Sequence, residues 1–370
     1  MAKTYLFNPG PVMVKDSVRQ ALLHYDICHR SAEFEDLFCS LKLGISRLFE
    51  ADDSYDSVMV SGSGTSANEA VLSSIFAEGE AVMLIRNGEF GERLLGTIIK
   101  YGVPLVDVPF EWGEYPDVDR IEAAMKDASD VKAVAMVFHE TSTGMINPVK
   151  EVGELCRKYG KAFFVDAISA AGGEYVNVLD NNIDIVTSVG GKCVGAFPGS
   201  AYVCGKKSLL GSLTFEQGKN VYLNLATLYG VSRDRNQTPN TPNVNIYWAL
   251  DAALSDIHAE GLSARIKRYR DCASIIRKGV RELGLSLLIP EELMSNTVTS
   301  AMLPEGIPLK KFIAEMEKRG FTLYEGKGPL IEKRVFQIAN MGEIYEEECG
   351  LFLKALKGLL DEWEEGTLMF

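Results

Sequence analysis

The sequence predicts an α/β fold: a mainly parallel seven-stranded sheet in a large domain, followed by a smaller α+β domain. Three observations lead there. Seven apolar, β-rich runs recur between residues 57 and 204. Amphipathic helical patterns fill most of the gaps between them, which is the alternation of a parallel sheet covered on both faces. Beyond residue 250 this alternation stops, and a long helical pattern leads into a mixture of short strands and helices.

Taken in order, Tyr5-Leu6-Phe7-Asn8-Pro9-Gly10-Pro11 cannot be helical through its two prolines and reads as an arm, residues 1–18, lying on the fold. Helical patterns follow at 14–23 and 33–49, with His29-Arg30-Ser31 between them. Strands are expected at 57–60, 81–86, 103–108, 133–138, 162–165, 183–189 and 201–204, and helices at 66–75, 93–101, 119–128 and 148–159. Residues 206–245, rich in Asn, Thr, Pro and Arg, read as irregular, and 244–283 as one long helical pattern. The tail reads as strand 296–303, helix 309–319, strands 322–323 and 335–338, and helix 344–364. The division this implies is a large domain over 19–250 and a small one over 251–370.

The 370 residues are 46% apolar and 24% charged, the profile of a globular enzyme. A net charge of −13 argues against nucleic acid as the main partner, since a phosphate backbone attracts basic surfaces. Seven scattered cysteines show no CxxC or Cys/His ligand spacing, so no structural metal is expected. With no signal-peptide-like stretch and no apolar run of membrane-spanning length, a cytoplasmic protein with reduced thiols is expected.

The chemistry lies at strand ends, where ligands of open α/β sheets bind. Val58-Met59-Val60 runs into Ser61-Gly62-Ser63-Gly64-Thr65-Ser66 at the opening of a helix. Glycines let the backbone approach an anion, and free N–H groups with the helix dipole hold it, so Ser63, Gly64 and Thr65 form a candidate phosphate cradle. An ordinary helix cap accounts for the same residues equally well. The stretch also fits the GxGxxG/A dinucleotide pattern, but the next strand ends Arg86-Asn87-Gly88 without the acidic residue that pattern needs. Phe163-Phe164-Val165-Asp166 ends an apolar strand on a carboxylate, either a helix cap or a partner for a ring nitrogen. Lys192 follows another apolar strand and a Gly190-Gly191 turn. Desolvation there lowers a lysine's pKa and leaves neutral amine for a Schiff base. Phe90, between Gly88 and Gly91, is placed to stack on a flat ring or simply to pack. In His139-Glu140-Thr141-Ser142-Thr143-Gly144, Thr141 offers a donor to a cofactor oxygen, while His139 and Glu140 read equally as local backbone partners. Cradle, carboxylate and lysine in this order are what pyridoxal 5′-phosphate requires.

With these residues assembled, the chain resembles the class V branch of fold-type I pyridoxal-phosphate enzymes. It is most similar to the 2-aminoethylphosphonate–pyruvate and alanine–glyoxylate (serine–pyruvate) transaminases, over roughly residues 5 to 345. The resemblance implies a homodimeric aminotransferase with active sites at the interface. Lys192 and Asp166 are the catalytic pair, with Ser63, Gly64, Thr65, Phe90 and Thr141 around the cofactor. Thr241, in Thr238-Pro239-Asn240-Thr241-Pro242-Asn243, reaches the neighbouring subunit's cofactor phosphate. The segment Asn8-Pro9-Gly10-Pro11 resembles the family's substrate-side arm, so Asn8 and Gly10 are candidate substrate residues. His29 and Arg30 join them by similarity to a phosphate-binding stretch of phosphoserine transaminases.

Two positions depart from the pattern. Gly191 stands where the family usually has Gln or Asn before the lysine. Gln337 stands where an arginine usually grips the substrate α-carboxylate, and an amide cannot form that charged bidentate pair. The expected reaction moves an amino group from a small, acidic amine, first of all 2-aminoethylphosphonate, to a 2-oxo acid such as pyruvate. The alternatives are alanine- or serine–glyoxylate transamination, and a cysteine desulfurase-like lyase. Against the lyase, Phe90 replaces the usual stacked histidine and no cysteine lies in an obvious mobile loop.

Overall fold

A computed structural model describes residues 4–366. All seven expected strands form one sheet. They are β1 (Tyr55–Gly62), β2 (Ala81–Arg86), β3 (Leu105–Pro109), β4 (Val131–Val137), β5 (Ala162–Asp166), β6 (Ile185–Val189) and β7 (Gly199–Lys206). Their spatial order is β1-β7-β6-β5-β4-β2-β3. Every neighbouring pair is parallel except those of β7, which runs antiparallel to both β1 and β6. Except for the edge strand β3, the strands are buried along nearly their whole length, because helices cover both faces and leave two apolar cores, one on each side. Asp166 pairs in register with Thr187, so β5 and β6 end side by side.

The second sheet is antiparallel: β8 (Ser286–Leu287), β9 (Val298–Met302), β10 (Tyr324–Glu325) and β11 (Val335–Ala339), in the order β8-β9-β11-β10. Its own apolar core includes Phe312, Phe336 and Phe352. The N-terminal arm crosses to this side. Tyr5–Leu6 pairs in parallel with Phe321–Thr322, the Phe7 ring stacks on Phe352 at 4.8 Å, and Ala339 N–H donates to the Phe7 carbonyl at 2.7 Å. The arm is thereby pinned just before Pro9 and Gly10.

Two sequence expectations need correction. The pattern over 244–283 is not one helix but two, Val244–Glu260 and Leu262–Glu282. Gly261 between them has φ +86°, a conformation that turns the chain and that glycine adopts without a Cβ clash. Residues 206–245 are not simply irregular either, since Lys207–Ser212 and Leu225–Arg235 are helical. The second of these starts on Asn224, whose side chain accepts from Thr227 N–H, and it buries Leu225, Leu228 and Tyr229. Too few of its residues are apolar to show a clear period. Among the described residues no helix is long and apolar enough to cross a membrane, and all seven cysteines are free thiols.

Gly153 lies in the middle of the helix Val149–Tyr159, where alanine would ordinarily stabilise. Here an added Cβ would stand 1.9 Å from the Asn181 carbonyl oxygen. Gly153→Ala is therefore expected to destabilise, by about 1–3 kcal/mol. A lower urea midpoint with an unchanged m-value is the expected result, and a raised midpoint would show that helix propensity outweighs the contact.

Candidate active site

The C-terminal ends of the strands open into a cavity of about 350 Å³. Its wall carries Gly10, Ser63, Gly64, Thr65, Phe90, Thr141, Asp166, Lys192 and Gln337. Nine of the expected residues thus converge on one space, although they are spread over more than 300 positions of sequence. Asn8, His29, Arg30 and Thr241 do not line it.

At one end, Ser63 stands at the N-cap of the helix Gly64–Leu72, yet its hydroxyl makes no capping bond. Ser66 N–H donates to the Ser63 carbonyl at 2.9 Å, and the N–H groups of Gly64 and Thr65, which precede this first bond, are available to an anion. At the other end Asp166 is 3% exposed. One of its oxygens accepts from Ile168 N–H at 2.9 Å, as a cap would, and the other from Asn68 Nδ2 at 2.6 Å. The amide of Asn68 is oriented in turn by Thr187, whose hydroxyl donates to Asn68 Oδ1 at 2.6 Å. Burial raises the Asp166 pKa, and these bonds together with the charges of Lys192 and Arg93 oppose the rise. A cation held against this carboxylate would remove the cost of burying it.

Lys192 lies between the two ends. Burial pulls its pKa down to about 8, and the nearby charges of Lys327 and Arg93 add to the fall. Its ammonium donates to the Pro9 carbonyl. Gly10, with φ +112°, allows that approach: a Cβ there would stand 2.5 Å from Lys192 Nζ. Gly191 is equally constrained, because a Cβ would sit 3.0 Å from the Pro198 nitrogen. The loop before β7 occupies the place that a Gln or Asn side chain would need.

Phe90 opens the helix Glu89–Lys100 and is held there by a buried acid. Glu140 accepts from the N–H groups of Phe90 and Gly91, both at 3.1 Å, and from Ser142. Burial lifts the Glu140 pKa to about 7 against the pull of these hydrogen bonds. Glu140 thus serves local backbone groups, one of the two readings its sequence context allowed. His139, whose pKa burial lowers to about 4, bonds the Ser169 carbonyl through Nδ1 at 3.1 Å. Gln337 in β11 donates to the Thr141 carbonyl, which ties the second sheet to the rim of the first.

The remaining predicted residues form a separate cluster. Arg30 donates to Gln237 Oε1 at 2.9 Å and to the carbonyls of Thr238 and Pro239 at 2.6 and 2.9 Å. It holds the loop that carries the exposed Thr241. The His29 ring packs edge-on to Phe34 at 6.4 Å. Asn8 is buried and donates to the Pro11 carbonyl at 2.9 Å, which shapes the arm.

Among the cavity residues that the sequence did not single out are Asn68, Arg93, Tyr324 and Lys327. Asn68 sits one turn into the cradle helix, a spacing that aims it back at the strand ends, and this was the available signal. Tyr324, whose hydroxyl donates to the Gly10 carbonyl at 3.1 Å, and Lys327 arrive only through the folding of the second sheet.

The donor set fits pyridoxal 5′-phosphate. Open N–H groups at a helix start suit a phosphate. A desolvated carboxylate at the far end suits a protonated ring nitrogen, and the apolar side chains of Phe90, Ile168 and Val189 suit the ring. Comparison with known proteins agrees. The model of the aminotransferase class-V family matches residues 4–321. An uncharacterized aminotransferase of Methanocaldococcus jannaschii is 33% identical over 361 residues, covering 97% of this chain and 93% of the relative. A 2-aminoethylphosphonate–pyruvate transaminase of Lysinibacillus sphaericus is 30% identical over 365 residues, covering 97% and 98%. The crystal structure of an alanine–glyoxylate aminotransferase from Nostoc sp. superposes with a TM-score of 0.90 at 25% identity, covering 97% and 96%. The chain belongs to the class-V aminotransferases and is a pyridoxal-phosphate-dependent transaminase of the fold-type I architecture.

Proposed function

We propose that this enzyme moves the amino group of a small acidic amine, with 2-aminoethylphosphonate as the donor of choice, to a 2-oxo acid such as pyruvate. The observation that carries the reading is the cavity's charge. In a chain of net charge −13, its wall bears Arg93, Lys192 and Lys327 against the single carboxylate of Asp166. Such a pocket draws in anionic substrates. The 30% identical phosphonate transaminase, aligned over nearly the whole chain, supports the same donor. A lyase of the desulfurase type would need a cysteine at the cavity, and none lines it. Cys193, next to the lysine, is buried, its thiol pushed up to about 12, and it donates to the Ser169 carbonyl.

When bound, pyridoxal 5′-phosphate supplies the electron sink and carries the amino group between the two half-reactions. The chain's own residues do the rest. The first-turn N–H groups of Gly64 and Thr65, with the Ser63 and Thr65 hydroxyls, bind the phosphate. Asp166, braced by Asn68 and Ile168, holds the proton on the ring nitrogen. Phe90 would cover the ring face, and the Thr141 hydroxyl would donate to a cofactor oxygen. Lys192 would hold the cofactor through Nζ and, once the substrate amine takes its place, would serve as the base that carries a proton at Nζ. In a homodimer, the cluster of His29, Arg30 and the Thr241 loop faces the partner's cavity and completes its phosphate site. The arm (1–18), large domain (19–250) and small domain (251–370) are the units of this arrangement.

Borohydride reduction of the loaded enzyme followed by peptide mapping should place the pyridoxyl group on Lys192, and a label on any other lysine refutes the assignment. Cofactor incorporation into the apo enzyme should speed up as pH rises through about 8, because the Lys192 pKa is held near that value and only the neutral amine reacts. A midpoint near 10.5, the ordinary lysine value, would mean that the side chain is solvated.

Asp166→Asn should keep the fold and slow each half-reaction by orders of magnitude, since a neutral amide cannot hold the ring-nitrogen proton. Single-turnover kinetics measure this directly, and near-normal rates would reduce Asp166 to a backbone cap. Sedimentation at micromolar concentration should give twice the chain mass, and a fully active monomer excludes the shared site. Among donors, 2-aminoethylphosphonate should surpass alanine, serine and aspartate in kcat/KM, and the reverse order overturns the donor assignment.

A further inference from the structure

Resting on that reading, we infer that Lys327 binds the anionic group of both substrates, in place of an arginine at position 337. Gln337 faces the cavity but spends its amide on the Thr141 carbonyl, so the β11 strand offers no charge there. The loop that follows the neighbouring β10 carries the charge instead. Tyr324 pairs in register with Gln337, and the chain continues beside β11, with Gly326 N–H donating to the Val335 carbonyl at 2.7 Å. Lys327 leaves from this paired segment. The next residue, Gly328, rests on the Trp112 ring of the large domain, where an added Cβ would stand 3.0 Å from the indole. Lys327 is therefore delivered from a supported loop.

Its ammonium reaches the cavity, 5.7 Å from the Phe90 ring centroid, and none of the described carboxylates forms an ion pair with it. Of the other two cations of that wall, Arg93 is already paired with Glu89 at 3.0 Å, and Lys192 is the cofactor lysine. A half-buried ammonium facing a substrate cavity without a counter-ion is an anion site. The proximity of Lys327 is also felt at Lys192, whose ammonium it disfavours.

The choice of lysine has a chemical consequence. A 2-oxo acid carries its carboxylate on the reacting carbon. In 2-aminoethylphosphonate the phosphorus lies one carbon further out. A guanidinium fork is set for one planar geometry at one distance, whereas an ammonium on a four-carbon stem is a point charge that follows either. Lys327 thus suits an enzyme whose two half-reactions place a phosphonate and a carboxylate in the same pocket.

The test uses the cofactor-loaded dimer and two unreactive anions, ethylphosphonate and propionate, with dissociation constants measured by calorimetry. Lys327→Met should weaken both by about tenfold to a hundredfold, the scale of one charge-assisted contact. It should also raise KM for both substrates more than it lowers kcat. Lys327→Arg should retain propionate binding and lose part of the phosphonate affinity. Unchanged dissociation constants in Lys327→Met overturn the inference, as does a wild-type enzyme that binds neither anion. So does weakening by Arg30→Ala but not by Lys327→Met, which would assign the anion to the partner-facing cluster. Borohydride labelling of Lys192 in each variant keeps the two questions apart. A missing label in the wild type counts against the cofactor reading, while the calorimetry still reports on Lys327.

Discussion

A carboxylate taken out of water at the end of a central strand is the constraint around which this structure is arranged. Asp166 is almost fully buried, and neutral hydrogen bonds from Asn68 and Ile168 orient it without neutralising it. Removing such a charge from water costs several kcal/mol unless an opposite charge meets it. The fold leaves that cost in place and points the group into a cavity. Just beyond the end of the neighbouring strand stands a lysine under the same stress, with burial pushing its amine toward neutrality. Two ionisable groups driven in opposite directions at adjacent strand ends form a site prepared for a ligand that carries both a cationic nitrogen and a carbonyl carbon.

The support beneath these groups is polar and buried. Thr187 orients Asn68, and Asn68 orients Asp166. Glu140 and Ser142 fix the start of the helix that presents Phe90. Each link joins a different strand end or helix start, so the parallel sheet acts as a frame on which side chains from distant sequence positions hold one another still. Pre-organisation of this kind lets a charge develop in a reaction without the surroundings having to reorganise.

The second sheet supplies what the first lacks. The N-terminal arm, β10 with the loop after it, and β11 together bring Gly10, Tyr324, Lys327 and Gln337 to the wall of the cavity. The acidic balance of the whole chain conceals this local excess of cations. Net charge reports on the surface at large, whereas a pocket a few ångströms across responds to the handful of groups in its wall.

By itself, the sequence determined the sheet and the cofactor end of the site. Seven apolar runs alternating with helical patterns have no other economical packing, and a glycine-rich turn, an aspartate and a lysine, each at a run's end, follow from local pattern alone. The long helical pattern was legible as helical but not as two helices, because its break depends on the backbone angle of one glycine. Only the tertiary structure decided which residues share the cavity. Arg93, Tyr324 and Lys327 carry no local mark, since their meaning lies in what stands across from them. It likewise separated His29, Arg30 and Thr241 from the pocket of their own chain. Periodicity is written along the chain and reads out element by element. A side chain's surroundings are set by packing between elements, on which neighbouring sequence is silent.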